Sequence, residues 1–165
     1  VLILAVAGGV GHIAAQLAMK SGAHVWGTAS PANERFVRSL GVRYLNYHDP
    51  ETMKGAPAMD IIFDAVGGDT GKSALSWLRE GGVMVTLPTI TADAITNAAQ
   101  EQNKIARGYT VHPDAKQLQN LLQYVADGQL KVDVSRDFSL ADVREAHRLL
   151  ESGHVRGKIV LRVDC

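Results

Sequence analysis

Residues 5–14 read AVAGGVGHIA. Gly9, Gly11 and Ala14 give the spacing G-x-G-x-x-A between an apolar run, Val1–Ala7, and a segment of helical spacing over about His12–Lys20. Each position has a physical task in that setting. Gly9 permits a tight turn, Gly11 lets the backbone come close to a pyrophosphate, and Ala14 lets the helix lie close on the strand. On that reading a branched side chain at Gly11 blocks the ligand with little effect on stability. The helix N-terminus adds free N–H groups and the positive end of its dipole. A strand before the glycines and a helix after them are the context the motif requires, so the stretch implies a dinucleotide site with Gly9, Val10 and Gly11 as its phosphate loop. His12, inside the loop, reads as a capping or solvent-facing residue and not as a catalytic one.

Outward from the loop, strand-like and helix-like segments alternate, which argues for βαβ units and a parallel sheet. The continuous apolar run Val1–Ala7 fits a central strand buried on both faces. Further strands are expected at His24–Ala29, Val42–Leu45, Asp60–Val66, Val83–Leu87 and Ala106–Val111. Of the first helix, Ile13, Ala14, Leu17 and Ala18 are expected to face the sheet. Ser30-Pro31 caps a helix whose apolar face is Phe36, Val37 and Leu40. Other helices are expected at Asp69–Glu80, stopped by Gly81-Gly82, at Ala92–Asn103, after Asp114, and after Ser139 with Asp142 in capping-box position. Gly157–Val163 closes as a strand.

The end of the second strand selects the dinucleotide. An NAD site places Asp or Glu about 20 residues after the glycines to hold the ribose 2′-OH. Here the stretch is Gly27-Thr28-Ala29-Ser30, with no carboxylate. The hydroxyls of Thr28 and Ser30 and the cations of Arg35 and Arg38 favour NADP, since a guanidinium pairs well with a phosphate. Arg38 reads as a solvated surface cation; Arg35 is the phosphate candidate.

Composition narrows the classes. The 165 residues correspond to about one domain, with 17 basic and 17 acidic side chains. That balance argues against nucleic-acid binding, which needs clustered basic surface. With 46% hydrophobic and 21% charged residues the chain is not a disordered one. A single cysteine, Cys165, rules out a disulfide within the chain and any zinc site of several cysteines, and fits a reducing, cytoplasmic setting. The uncharged run before Lys20 is broken by Gly8, Gly9, Gly11, His12 and Gln16, so it reads as strand and helix, with no membrane span. It has no basic start and so is not a signal peptide. The chain opens on Val1 inside a strand-like run, which reads as a cut at a domain edge.

The motifs together resemble one family. AVAGGVGHIAAQLA, the strand end GTAS, SLGVRYLNYHDPE, DIIFDAVGGD, GGVMVTLP and HRLLESGHVRGKIVLRV stand in the order found in the cofactor-binding half of the medium-chain dehydrogenase/reductases, in particular their zinc-independent quinone oxidoreductase branch. The resemblance implies an α/β fold, a Rossmann-type doubly wound parallel sheet of six strands. It implies NADPH as cofactor and hydride transfer to a quinone, an enone or a related carbonyl compound. Ser30 and Arg35 then lie at the 2′-phosphate, with Tyr47 packed near it. Val66 and Gly67, and Leu87 and Pro88, follow the fourth and fifth strands and line the nicotinamide. Residues 1–130 form the dinucleotide-binding domain, and 131–165 a segment that in the family completes a substrate domain absent here. Arg136–Cys165 is therefore expected to be poorly supported, or to pack on the core in an altered way. A homodimer through the last sheet strand, within Lys104–Pro113, is expected, and no metal site. The catalytic residues stay unassigned. A non-catalytic dinucleotide-binding module, the enoyl-reductase domain of a multifunctional synthase and a fragment of a zinc alcohol dehydrogenase remain as alternatives. A short-chain dehydrogenase is disfavoured, because no Tyr is followed by Lys four residues on.

Overall fold

The computed structural model describes residues 1–163; Cys165, and with it the one cysteine, lies outside the described residues. Six parallel strands run in the order β3-β2-β1-β4-β5-β6: β1 (Leu2–Ile3), β2 (Trp26–Ala29), β3 (Arg43–Asn46), β4 (Met59–Asp64), β5 (Leu78–Thr86) and β6 (Ile105–Gly108). The connecting helices are α1 (Gly11–Lys20), α2 (Glu34–Ser39), α3 (Pro50–Lys54), α4 (Gly68–Ala74) and α5 (Thr89–Glu101). The parallel sheet is the one the alternating segments imply, and its six-stranded Rossmann-type order is the one the family resemblance implies.

Side chains that alternate along β1 feed two cores. Leu2 packs with Met53 of α3, Ala74 of α4 and Ile95 and Ala99 of α5 on one face. Ile3 packs with Ala15 of α1 and Val37 of α2 on the other. Full burial of such side chains contributes roughly 1.5–3 kcal/mol each. On α1 the buried residues are Gly11, His12 and Ala15, with Ala14 and Ala18 against the core, whereas Ile13 and Leu17 belong to neither core cluster. The inward stripe is rotated from the expected one.

The expected strand Val1–Ala7 is regular only over Leu2–Ile3. Leu4 and Val6 still donate to the carbonyls of Phe63 and Thr28, at 2.9 and 3.0 Å. Ala5 between them has φ +53°, and its N–H goes to the Thr28 hydroxyl at 3.2 Å. The fourth helix is also shorter than expected. It ends at Ala74, a 3-10 turn covers Leu75–Trp77, and β5 begins at Leu78. Leu78 pairs with Met59 and is buried, and Arg79 reaches Asp60 at 2.5 Å. Pairing and burial override the local helical pattern there, and Gly81-Gly82 lies within the strand.

After β6 come α6 (Ala115–Ala126), capped by Asp114 accepting from the Gln117 N–H at 2.9 Å, and a second unit: β7 (Val134–Ser139), α7 (Val143–Glu151) and β8 (Lys158–Arg162). β7 and β8 pair in parallel. Ser139 donates to the Asp142 carboxylate at 3.0 Å across a 3-10 turn, in place of the expected backbone cap. This unit is anchored on the six-stranded layer. Gly157 N–H donates to the Ala7 carbonyl at 2.9 Å, and the Gln16 amide exchanges two 2.9 Å bonds with the Lys131 backbone. Its outer residues Val134, Leu140, Leu150 and Val160 stay exposed. Among the described residues this unit thus has hydrogen bonds to the layer at its base and uncovered apolar surface beyond it. No helix among the described residues is long and apolar enough to cross a membrane.

The Tyr44 hydroxyl on β3 is buried and meets no partner among the described residues. Burial, helped by the Glu34 carboxylate, pushes its phenol above the usual value. An unpaired buried hydroxyl carries a desolvation cost of about 1 kcal/mol or more. Tyr44→Phe is accordingly expected to raise stability by about 1 kcal/mol and the thermal midpoint by about 2–4 °C. A melting curve checks this, and a lower midpoint would refute the assignment.

Candidate functional site

The strand order reverses between β1 and β4, and in such sheets ligands bind outside the carboxyl ends of the strands at that reversal. The glycine loop lies there. Gly8 N–H donates to the Ala5 carbonyl at 2.9 Å, so the tight turn is Ala5–Gly8 and not at Gly9. A Cβ on Gly9 would stand 3.0 Å from the Gly157 carbonyl oxygen and from Lys158 Cδ. Gly9 thus admits the start of β8 to the loop. A Cβ on Gly11 would stand 2.3 Å from the Ala5 carbonyl oxygen and 2.8 Å from Val6 Cα. The space that glycine leaves at position 11 is filled by the chain's own backbone, so its task is close helix–strand packing. Val10, between them, is half exposed. The N–H groups of Val10 and Gly11 meet no acceptor among the described residues, whereas the parallel Gly8–Gly157 bridge turns the Gly9 N–H toward the Gly157 carbonyl. Two free donors at the N-terminus of a ten-residue helix fit a dinucleotide pyrophosphate.

The carboxyl ends of β1, β2 and β4 open on a cleft of about 570 Å³. Of the expected residues it brings together Thr28, Tyr47 and Val66, beside Ala5. Thr28 is buried, and its hydroxyl accepts from Ala5, so it shapes the turn as well as lining the cleft. Asp69, Thr70 and Ser73 of α4 also line the cleft. Sequence reasoning missed them, although they follow the Gly67-Gly68 pair at helical spacing, the signal that places a helix start at the end of β4.

Asp64, fully buried at the end of β4, holds the wall of the site. Its carboxylate accepts from the Val66 and Gly67 N–H groups at 2.9 and 2.8 Å and from the Thr86 hydroxyl at 2.8 Å. Gly67 has φ +77°, and a Cβ there would meet Thr91 Oγ1 at 2.3 Å and Pro88 at 3.0 Å. Gly67 and Pro88 therefore pack on each other, while Leu87 N–H joins the Asp64 carbonyl at 2.9 Å. Val66, Gly67, Leu87 and Pro88 thus lie together at the ends of β4 and β5, and of them Val66 lines the cleft.

At the end of β2, Ser30 accepts from the Asn33 side chain at 3.2 Å. Arg38 pairs with Glu34 at 2.8 Å and lies over the Tyr44 ring, which matches its reading as a surface cation. Arg35 is exposed and has no ion pair among the described residues. No three His, Cys, Asp or Glu side chains among the described residues come together as a metal site.

The family described as zinc-binding dehydrogenase matches residues 40–161. The chain belongs to that family. Among these dehydrogenases, a mitochondrial NAD(P)H oxidoreductase of Danio rerio is 33% identical over 190 residues, covering 99% of this chain and 49% of its own length. The solved quinone oxidoreductase of Coxiella burnetii superposes with a TM-score of 0.95 at 39% identity, covering 99% of this chain and 52% of its own. The Escherichia coli quinone oxidoreductase, solved in complex with NADPH, does so with a TM-score of 0.74 at 25% identity, covering 98% and 56%. The chain thus spans about half the length of the relatives it matches. The likeness covers both the six-stranded layer and the β7–β8 unit, in agreement with the resemblance to the medium-chain dehydrogenase/reductases.

The packing at Gly11 overturns the expectation that a branched residue there spares stability. Gly11→Val is expected to cost roughly 2–3 kcal/mol, as overpacking against backbone does. The thermal midpoint should fall by several degrees in the ligand-free protein. An unchanged midpoint would return Gly11 to a purely ligand-facing role.

Proposed function

We propose that the chain is the cofactor-binding half of an NADPH-dependent oxidoreductase of the quinone-reductase type, acting on a quinone, an enone or a related carbonyl compound. The observation that carries this reading is the loop at the sheet's order reversal. It has two free N–H groups, those of Val10 and Gly11, and the adjoining end of β2 has no carboxylate to repel a 2′-phosphate. Gly9, Val10 and Gly11 would hold the pyrophosphate. The Lys158 stem lies over Gly9, which puts a cation beside it. Ser30 and Arg35 would hold the 2′-phosphate, and Thr28 and Tyr47 the adenosine side of the cleft. Val66, Gly67, Leu87 and Pro88 would border the nicotinamide. The bound cofactor supplies the hydride. The chain's own residues fix the geometry, and Asp64 keeps the wall rigid through its bonds to Val66 and Gly67.

In this reading residues 131–165 complete a substrate domain whose remainder lies in the other half of the protein. The exposed apolar residues of the β7–β8 unit support that role, since a two-stranded sheet needs further cover. A cytoplasmic location accords with the single cysteine.

The cofactor choice is testable by calorimetry on the chain. NADPH is expected to bind at least about tenfold tighter than NADH, a difference of about 1.4 kcal/mol. Arg35→Ala should weaken NADPH alone. Lys158→Met should weaken both by the same factor, because both carry the pyrophosphate. Equal affinity for the two cofactors in the wild type would refute the NADP assignment.

A homodimer through β6 is part of the same proposal. β6 is the edge of the sheet, and Ile105, Tyr109 and Val111 are exposed along it. An edge strand of this kind is a template for a second copy across a two-fold axis. Tyr109 N–H donates inward to the Thr86 carbonyl at 3.0 Å. By strand alternation the outward donors are then Gly108 and Thr110. Light scattering at micromolar concentration should find a dimer that Thr110→Pro converts to a monomer. A monomeric wild type, or a dimer indifferent to that proline, refutes this interface.

A further inference from the structure

The turn after β4 and the turn after β5 meet at a single hydroxyl. Thr91 lies in the first turn of α5 and is half-buried. Its Oγ1 accepts from the Gly68 N–H at 3.1 Å and donates to the Pro88 carbonyl at 3.3 Å. A hydroxyl has one proton to give and two lone pairs to offer, so one side chain serves both turns.

The turn after β4 needs such a tie. Gly67 and Gly68 have φ +77° and +56°, and two adjacent glycines have a wide choice of backbone conformations. Asp64 holds the Gly67 N–H at 2.8 Å, and the Gly71 N–H holds the Gly67 carbonyl at 3.0 Å. The Gly68 N–H belongs to the same planar peptide as that carbonyl and goes to Thr91. The hydroxyl also fills the space left by the missing side chain of Gly67, where a Cβ would stand 2.3 Å from Oγ1. Asp64 thus fixes the turn to its own strand, and Thr91 fixes it to Pro88 beyond the neighbouring one. The body of α4 is seated separately. Its Gly71 and Ala74 are buried, and a Cβ on Gly71 would meet Asp64 and Ile95.

We propose that Thr91 is a positioning residue for the nicotinamide: by holding the Gly68 N–H and the Pro88 carbonyl together it sets the separation of the two turns against which the ring would lie. The inference rests on the cofactor reading above, in which Val66, Gly67, Leu87 and Pro88 border that ring. Since α4 is seated without Thr91, loss of the hydroxyl acts on the two turns and spares the adenosine side of the cleft.

Thr91→Val keeps the shape of the side chain and removes the hydroxyl, whereas Thr91→Ser keeps the hydroxyl. Calorimetry on the chain compares NADPH with 2′-phospho-ADP-ribose, which is NADPH without its nicotinamide. The wild type should bind NADPH tighter. Thr91→Val should weaken NADPH about fivefold, as the loss of one hydrogen bond would, and leave 2′-phospho-ADP-ribose within about twofold. Thr91→Ser should bind both within about twofold of wild type. A merely structural role would lower the melting midpoint of Thr91→Val and move the two ligands together. A Thr91→Val protein that weakens both alike, or neither, therefore overturns the inference, as does a Thr91→Ser protein as weak toward NADPH as Thr91→Val. A wild type that binds the two ligands equally removes the nicotinamide from these turns and overturns the inference while the dinucleotide site stands. A wild type that binds neither overturns the dinucleotide reading and this inference with it.

Discussion

The N-terminus of α1 lies so close to the turn after β1 that backbone atoms occupy the place of a side chain at Gly11. The rest of the site depends on that approach. It brings the first free N–H groups of the helix to the carboxyl end of the sheet, beside the strand reversal. It also forces the chain at Ala5 into a left-handed conformation, an unusual state for a residue with a Cβ. The cost of that residue is tolerated because its neighbours over-determine it: the Thr28 hydroxyl takes its N–H, and its carbonyl takes Gly8 N–H.

The opposite wall is built on a different principle. Asp64 gathers two backbone donors and one hydroxyl in a place without solvent. A buried carboxylate is costly unless its lone pairs are matched, and here they are matched by the groups whose placement matters. One wall is thus set by the absence of a side chain and the other by the saturation of one. The third boundary comes from the far end of the sequence. Gly157, at φ +58°, lies where a Cβ would collide with the Asp133 carbonyl oxygen at 2.2 Å. Only a glycine there lets the two strands of the second unit reach the loop together.

Much of this was legible in the sequence, for identifiable reasons. The strand and helix alternation, the glycine loop and the Asp114 cap rest on local patterns that survive folding. So does the reading of Arg38, whose partner Glu34 is one helical turn away. The start of β5 was not legible, because Leu78 is drawn into the sheet by Met59, a partner 19 residues earlier that no helical periodicity reveals. The task of Gly11 was misread because a spacing motif does not say on which side the missing Cβ would lie. The burial of His12 was hidden for a related reason: its partner Asp133 is distant in sequence and contributes only backbone. The lining by Asp69, Thr70 and Ser73 depends on how α4 is tilted over the crevice, which composition does not encode.

The bonds from Ala7 to Gly157 and from His12 to Asp133 have a consequence for how the molecule assembles. They join the first dozen residues described to the last few dozen, so they are among the contacts with the largest loop-closure cost in the chain. The six-stranded layer has its strands in place once β6 is laid down, whereas the glycine loop acquires the Asp133 brace only just before β7 and the Gly157 brace only at the start of β8. During synthesis the chain therefore passes through a stage in which the sheet exists and the loop is still unbraced. The completed loop arrives late, with the start of β8, and not with the formation of the fold that carries it.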